Sequence, residues 1–250
     1  MNAEPAKPAI GLIIIGDEIL SGRRNDQHLA KVIELLTARG LLLQWARYVG
    51  DDMDQIAAVL RQVFATPDIV FCTGGIGATP DDCTRQAAAA ALGVPVQLHP
   101  EAKRLIQQRL QSVAQDKGLP WEPERADNLQ RLKMGEFPLG ARIVPNPYNQ
   151  IPGFACSGPG GGTIYFTPGF PVMAWPMMEW LLDTVYMPRL RPVAWQERSV
   201  VNLSSIARRT GGMVGNMAYA ATKGAIATLT LSLARELAPV TRVNALAPGI

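Results

Sequence analysis

The sequence predicts an α/β fold in which a parallel sheet carries helices on both faces. Two observations lead to this prediction. Apolar stretches of strand length alternate with amphipathic stretches of helix length from residue 9 to residue 92, which is the order of strand-helix-strand units. The first stretch, Ala9–Ile15, is apolar without alternation, as expected of a strand that is buried on both faces.

The next elements follow from their caps and apolar stripes. Asn25 or Asp26 can cap a helix whose stripe ends at Gly40, and Asp51–Asp52 can cap a second helix that Pro67 closes. The predicted strands that alternate with these helices are Leu41–Val49 and Asp68–Cys72. Ligands of such sheets bind at the carboxyl ends of the strands, so we expect the site just after residue 72.

The following region contains more helix and less regular structure. Residues 118–162 are rich in proline and glycine, which predicts loops with short strands. The predicted helices are Thr84–Leu92, Pro100–Lys117 and Val172–Val185, and the predicted strands are Ala141–Val144 and Thr163–Thr167. The last helix carries a cluster of methionine and tryptophan that we interpret as a core or dimer contact rather than a cofactor site: Met173, Trp175, Met177, Met178 and Trp180.

Composition excludes several classes of protein. The chain has 250 residues, of which 48% are apolar, and no apolar run reaches the length of a membrane span. Its first residues lack the basic and apolar regions of a signal peptide, so we expect a cytoplasmic protein without a membrane partner. Three sparse cysteines predict neither disulfides nor zinc. Arg208–Arg209 is the nearest approach to a basic patch, so we expect no nucleic-acid partner.

The stretch Cys72–Thr84 has the pattern strand, glycine turn, helix start. Glycines allow the backbone to approach an anion closely, and free N–H groups at a helix start favour negative charge. Asp81 and Asp82 would repel a bare phosphate, which favours a divalent cation between carboxylate and phosphate oxygens. The structural alternative is that Asp81 only caps a helix and the glycines only make a turn.

Four blocks occur here in the order found in one family: residues 16–22, 49–52, 73–84 and 165–171. They resemble the MoaB/Mog-type molybdopterin-binding family, most closely its branch formed by the N-terminal domain of competence/damage-inducible protein A. The resemblance implies a three-layer α/β/α domain with a mainly parallel sheet over residues 1–198. It also implies a homo-oligomer whose ligand is small and phosphorylated.

The same resemblance implies roles for individual residues. Residues at the phosphate or cofactor would be Thr73, Gly74, Gly75, Gly77, Pro168 and Gly169, with Asp17 and Glu18 approaching the same pocket. Asp81 or Asp82, with Thr84, would hold Mg²⁺ or another divalent cation or position the ligand, and both aspartates are the catalytic candidates. His28 and His99 have no partner at ligand spacing and receive no catalytic role.

Two reactions and one alternative follow from the resemblance. The Mog type implies adenylylation of molybdopterin with Mg-ATP, and the competence-protein branch implies hydrolysis of an ADP-ribose-like pyrophosphate. Both need a cation on pyrophosphate oxygens and a phosphate cradle, so the residues do not separate them. The alternative is a molybdopterin-binding module without chemistry.

From Val200 the sequence resembles a different family, the short-chain dehydrogenases/reductases. The matching blocks are residues 200–205, 218–225 and 242–249. Tyr219 and Lys223 lie four residues apart, so they share one face of a helix. In that family the lysine favours the tyrosinate, the tyrosine exchanges a proton with the substrate, and a serine at the position of Ser205 orients the substrate carbonyl.

The dinucleotide motif of that second family is missing. Its nearest match, from Thr73, has Ala78 and Pro80 where glycines are needed. Residues 199–250 are therefore expected to be an incomplete Rossmann-type fragment, with two strands and one buried helix, that does not use NAD(P); an NAD(P)-dependent oxidoreductase remains the second alternative. Two incomplete families joined without a linker also lead us to expect a chimeric or truncated reading frame.

Overall fold

The structure is a computed structural model that describes residues 8–187, 198–237 and 241–248. The chain divides into two compact units, residues 1–191 and 192–250. Three features of the sequence analysis lie outside the described residues: the first residues of the chain, the segment just before the expected domain boundary at residue 198, and Gly249 of the last tail block. No helix in the described part of the chain has both the length and the apolarity needed to cross a membrane.

The first unit alternates strands and helices from its first strand onward. Its first half contains β1 (Ile10–Ile15), α1 (Asp17–Leu20), α2 (His28–Thr37), β2 (Trp45–Val49), α3 (Met53–Phe64), β3 (Ile69–Thr73) and α4 (Thr84–Leu92). Its second half contains β4 (Val96–Leu98), α5 (Pro100–Asp116), α6 (Ala126–Leu132), β5 (Glu136–Pro138), β6 (Arg142–Val144), β7 (Gly153–Ser157), β8 (Thr163–Thr167) and α7 (Pro171–Leu181).

Six of these strands form one mixed sheet in the order β2-β1-β3-β8-β7-β6. Strands β2, β1, β3 and β8 are parallel to one another. At one end of the sheet β7 pairs antiparallel with β8, and β6 pairs antiparallel with β7. Strands β4 and β5 form a separate antiparallel pair. The mainly parallel sheet that the sequence predicts is confirmed, and its carboxyl ends meet at one edge.

Both faces of the sheet are covered by helices, which gives the three layers expected from the sequence. Ile13 and Ile15 of β1 pack in one apolar cluster with α3 and α4. Leu12 and Ile14 of the same strand pack in a second cluster with α2 and α7. Successive side chains of a strand point to opposite faces, so a strand covered on both sides must be apolar throughout, as β1 is.

The methionines of α7 belong mainly to this core. Met177 and Met178 are buried in the second cluster, and Trp175 and Trp180 pack against it while remaining partly exposed. This agrees with the core interpretation of the cluster. Met173 differs from the others because it lines the cavity described below.

The structure differs from the predicted elements at β2, α6 and α7, among other places. Strand β2 begins at Trp45, because the amide of Leu41 closes the end of α2 by donating to the carbonyl of Leu36. Helix α6 lies in the region predicted as loops and short strands, since seven residues are too few for a clear helical period. Helix α7 begins at Pro171 and passes into a π-helical turn over Leu182–Tyr186.

The second unit contains β9 (Arg198–Leu203), α8 (Ala207–Thr210), α9 (Met217–Glu236) and β10 (Thr241–Leu246). β9 and β10 are parallel. The expectation that its helix is buried is wrong, because Thr230 is the only buried residue of α9. Two strands and a long helix supply too little surface to enclose their own apolar side chains, and Leu203, Leu231 and Leu246 are accordingly exposed.

Candidate functional site

A cavity of about 410 Å³ lies at the carboxyl ends of the parallel strands of the first unit. Its lining includes residues that directly follow three adjacent strands: Gly16 after β1, Gly74 and Gly75 after β3, and Pro168 and Gly169 after β8. This is the edge at which open α/β sheets bind ligands. The sequence predicted the site here, and the cavity lies at that position.

The turn after β3 requires glycine for two separate reasons. Gly74 and Gly75 have φ values of +102° and +65°, a region that other residues rarely adopt. A Cβ on Gly74 would overlap the carbonyl oxygen of Ile15 in the neighbouring strand, and a Cβ on Gly75 would overlap the hydroxyl of Thr84. The turn is therefore packed closely against β1 on one side and against the start of α4 on the other.

Thr84 determines the orientation of the first two peptide planes of the turn. Its hydroxyl donates to the carbonyl of Gly74 at 3.1 Å, and its amide donates to the carbonyl of Gly75 at 3.0 Å. In a trans peptide the N–H points opposite to the C=O. The N–H groups of Gly75 and Ile76 therefore point away from the helix start.

Arg85 orients the next two peptide planes in the same way. Its guanidinium donates to the carbonyls of Ile76 and Gly77, the second at 2.6 Å, although the side chain is only 3% exposed. The N–H of Ala78 therefore points away from the guanidinium. Burial lowers the pKa of Arg85, an effect that the charges of Asp82 and Glu136 oppose, and a cation is placed directly behind the loop.

Three amides of this loop remain available to a ligand. No acceptor among the described residues takes the N–H groups of Gly75, Ile76 or Ala78. Successive free N–H groups along a glycine-containing loop, with a cation behind them, form an anion-binding concavity. All three residues line the cavity.

The two aspartates of the loop have different surroundings. Asp82 accepts hydrogen bonds from the amides of Gly77 and Thr79, both at 2.8 Å, and from the hydroxyl of Thr79 at 2.5 Å. Asp81 is exposed, so its carboxyl is ionised at neutral pH. Asp82 stabilises the loop through these hydrogen bonds, whereas Asp81 has an exposed carboxylate at the cavity.

Further carboxylates approach the cavity from the ends of β1 and β2. Glu18 and Asp51 both line it. Burial raises the pKa of Asp51, and the nearby charges of Asp17, Glu18 and Asp81 raise it further against an opposing backbone hydrogen bond from Asp17. Among the described residues no three His, Cys, Asp or Glu side chains are arranged to hold a metal ion by themselves.

Most of the predicted site residues line this one cavity, and two do not. Those that line it are Glu18, Thr73, Gly74, Gly75, Gly77, Asp81, Asp82, Pro168 and Gly169. Thr84 is fully buried beneath the loop, and Asp17 exchanges hydrogen bonds with Asp51, its amide donating at 2.8 Å and its carboxylate accepting at 3.2 Å. Thr84 and Asp17 thus support the lining rather than form it.

Sequence reasoning missed Arg85 and His28. Arg85 follows two aspartates at a helix start, a position that is usually solvated, and no local pattern signals its burial. His28 received no role, yet it is 5% exposed and lines the cavity. Its Nε2 lies 3.1 Å from the carbonyl oxygen of Gly169.

The tail residues show a separate arrangement in the second unit. The Nζ of Lys223 lies 5.5 Å from the centre of the Tyr219 ring, so the two side chains share a helix face as predicted. The same Nζ donates to the carbonyl of Leu203 at 2.8 Å. The hydroxyl of Ser205 accepts from the amide of Ala207 at 3.2 Å, and no hydrogen bond within the described part of this unit joins Ser205 to Tyr219.

Comparison with known proteins gives two family matches. A family model described as "Probable molybdopterin binding domain" matches residues 11–191. A second model, described as "Enoyl-(Acyl carrier protein) reductase", matches residues 184–250. The second match covers less than half of the chain, and the reductase resemblance of the tail has no further support.

Individual relatives agree with the first match. A CinA-like protein of Anaeromyxobacter sp. (strain Fw109-5) is 32% identical over 177 residues, which are 70% of this chain and 40% of that protein. A protein of Pyrobaculum arsenaticum is 32% identical over 190 residues, covering 76% of this chain and 68% of its own length. This chain therefore spans about two fifths of the CinA-like relative.

A solved structure supports the same assignment. The crystal structure of the protein CinA, of unknown function, from Thermoplasma acidophilum aligns with a TM-score of 0.58 and 28% identity. The alignment covers 70% of this chain and 97% of that one. Over residues 11–191 the chain belongs to the molybdopterin-binding domain family, and CinA-like proteins are among its relatives.

Proposed function

We propose that the cavity binds a phosphate-bearing ligand, molybdopterin or a nucleotide-type pyrophosphate, together with a divalent cation. The observation that carries the proposal is the set of free amides at Gly75, Ile76 and Ala78. The carbonyl oxygens of the same peptide groups accept hydrogen bonds from Thr84 and Arg85. The loop can therefore donate to an anion without breaking a hydrogen bond within the protein. The family description supplies the pterin as the first ligand to test.

A divalent cation fits the carboxylates of the same cavity. Glu18, Asp51 and Asp81 would repel a phosphate ester bound at the loop. Asp81 is exposed and ionised, so it would hold the cation. Bound there, the cation would polarise a phosphoryl oxygen and neutralise charge that develops at phosphorus.

The protein's own groups support attack at phosphorus in two ways. The loop amides would donate hydrogen bonds to the non-bridging oxygens, where negative charge develops. The buried guanidinium of Arg85 would add a positive field from behind the loop. Asp81 would hold the cation in the same cavity. This arrangement serves nucleotidyl transfer and pyrophosphate hydrolysis equally, and it serves simple binding if no nucleophile is supplied.

We expect ligand and cation together to raise the melting temperature of the full chain. The test is a thermal-shift series with molybdopterin, ADP-ribose, ATP, inorganic pyrophosphate and NAD(P)H, each with Mg²⁺ and with EDTA. A ligand present at 100 times its Kd stabilises the folded state by about 2.7 kcal/mol. Absence of a shift with molybdopterin, ADP-ribose, ATP and inorganic pyrophosphate in Mg²⁺ would contradict the proposal, and a shift with NAD(P)H alone would favour the oxidoreductase alternative.

Asp81→Asn and Asp82→Asn are expected to act differently. Asp81→Asn should reduce by about tenfold the gain in ligand affinity that Mg²⁺ gives. Its stability should be unchanged, since the Asp81 carboxylate is exposed. Asp82→Asn should lower the free energy of unfolding by about 1–3 kcal/mol. Both carboxylate oxygens of Asp82 accept hydrogen bonds from backbone amides, and the substitution replaces one of them by an NH₂ group, which can only donate.

Isothermal titration with Mg²⁺ and urea unfolding measure the two effects. Asp116→Asn, an exposed position at the end of α5, is the matched control for the loss of one negative charge. If both loop variants lose stability equally and keep their Mg²⁺ dependence, Asp81 does not hold the cation. Turnover lost in Asp81→Asn with binding retained would identify an enzyme, whereas binding without turnover in the wild type would identify a binding module.

A further inference from the structure

His28 lines the cavity, and one of its ring nitrogens, Nδ1, is buried without a hydrogen-bond partner among the described residues. It is the first residue of α2, and its ring lies beside the segment that follows β8. Because Nε2 lies 3.1 Å from the carbonyl oxygen of Gly169, Nε2 must carry the proton and donate. In the neutral ring Nδ1 is then an acceptor.

Nothing in the described part of the chain donates to Nδ1. Asp26, two residues before His28, is an acceptor and is already engaged: its carboxylate oxygens accept hydrogen bonds from the amides of His28 and Leu29 and from the hydroxyl of Tyr48. Burial lowers the pKa of His28 against the opposing effects of Gly169 and Asp26, and Arg24 lowers it further. The ring is therefore neutral at physiological pH, and its acceptor is unused.

A second polar atom in the same lining is also without a partner. The hydroxyl of Thr73, at the end of β3, is buried and makes no hydrogen bond within the described residues. A buried polar group without a partner destabilises a fold, and both of these atoms belong to residues that line the cavity, where a ligand could satisfy them. One of the two, Nδ1, can only accept.

We propose that Nδ1 of His28 accepts a hydrogen bond from an N–H or O–H group of the ligand, so that His28 selects a ligand with a polar ring next to its phosphate. The inference rests on the proposed function, which places the phosphate at the glycine loop. A pterin amine or a ribose hydroxyl supplies such a donor, whereas inorganic pyrophosphate has no ring. Nδ1 is shielded from solvent, so the cavity lining must shift slightly as the ligand enters.

Replacing His28 by asparagine or by glutamine distinguishes a hydrogen bond to the ligand from a purely structural role of the side chain. In His28→Asn, Oδ1 lies near the position of Nδ1, so the acceptor is kept and the bond to Gly169 is lost. In His28→Gln, the amide nitrogen reaches the position of Nε2, so the bond to Gly169 is kept and the acceptor is lost. A residue that only tethers the Gly169 segment would be rescued by glutamine and not by asparagine.

The experiment measures Kd for ADP-ribose and for inorganic pyrophosphate, each with Mg²⁺, on the full chain. We expect His28→Gln to raise the Kd for ADP-ribose about tenfold and His28→Asn to raise it less than about twofold. The Kd for pyrophosphate should stay within about twofold in both variants, and circular dichroism and melting temperature report folding.

The opposite order of the two variants, equal weakening in both, or wild-type affinity of His28→Gln for ADP-ribose would overturn the inference. If His28→Gln also weakens pyrophosphate tenfold, the residue acts on the loop rather than on a ring, which overturns it as well. A wild-type chain that binds neither probe would overturn this inference, and it would overturn the proposed function as well if molybdopterin and ATP also fail to bind. Pyrophosphate binding with an unaltered ADP-ribose affinity in His28→Gln would overturn this inference alone.

Discussion

Gly74→Ala is expected to abolish phosphate binding and to lower the free energy of unfolding by about 3 kcal/mol. Alanine at a φ of +102° is strained, and the added Cβ would overlap the carbonyl oxygen of Ile15. That oxygen belongs to the central strand β1, which is hydrogen-bonded on both sides and cannot move aside. Relief would therefore displace the turn and its free amides away from the cavity.

Urea unfolding and titration with pyrophosphate in Mg²⁺ measure these two effects. The matched control is Gly161→Ala, at a φ of +87° with nothing within 4 Å of an added Cβ. It carries the backbone strain without the overlap, and we expect it to lose about 1 kcal/mol and to bind normally. Equal effects of the two variants would mean that the close approach to β1 does not matter.

Arg85→Met is expected to raise the Kd for pyrophosphate by about tenfold or more. The substitution keeps an apolar side chain of similar length but removes the buried cation behind the loop. It also leaves the carbonyls of Ile76 and Gly77 without their donor, so the free energy of unfolding should fall by about 2 kcal/mol. The peptide planes that point their amides to the cavity would then be free to turn.

Arg85→Lys and Arg104→Met provide the controls. Lysine keeps the charge but not the planar fork, so Arg85→Lys should bind with intermediate affinity. Arg104 lies on α5 with a side chain that is 56% exposed, and its replacement removes the same net charge from the surface without altering the cavity. A folded Arg85→Met protein with wild-type affinity for pyrophosphate would show that the loop orients itself without the guanidinium.

The sequence predicted those parts of the fold that depend on local pattern. Helix α4 and strand β8 were predicted to the residue, because Gly93 directly follows the helix, Gly162 directly precedes the strand, and most residues within both elements are apolar. The antiparallel end of the sheet was not predicted. Which strand pairs with β8 depends on how a proline- and glycine-rich segment returns to the sheet edge, and no local signal records that path.

The cavity lies where the sequence predicted a site, but only some of the residues that form it could be named from the sequence. The glycine turn and Asp81 could be named because loops that approach phosphate restrict residue types, and Glu18 because residues 16–22 resemble a block of the family. Their roles remain predictions. Arg85 and His28 could not, since their significance lies in burial and in which carbonyl each one contacts. Asp82 was grouped with Asp81, although its oxygens are occupied by the loop.

The hydrogen bonds from Thr84 and Arg85 to four successive carbonyls have a kinetic consequence. A loop whose acceptors are already satisfied does not need to fold or rearrange when an anion arrives, so encounter is followed directly by capture. Association rates of different phosphorylated ligands should then be similar and sensitive to ionic strength. Ligand preference would reside in how long each complex persists, since variation in affinity at a preformed site lies mainly in the dissociation rate.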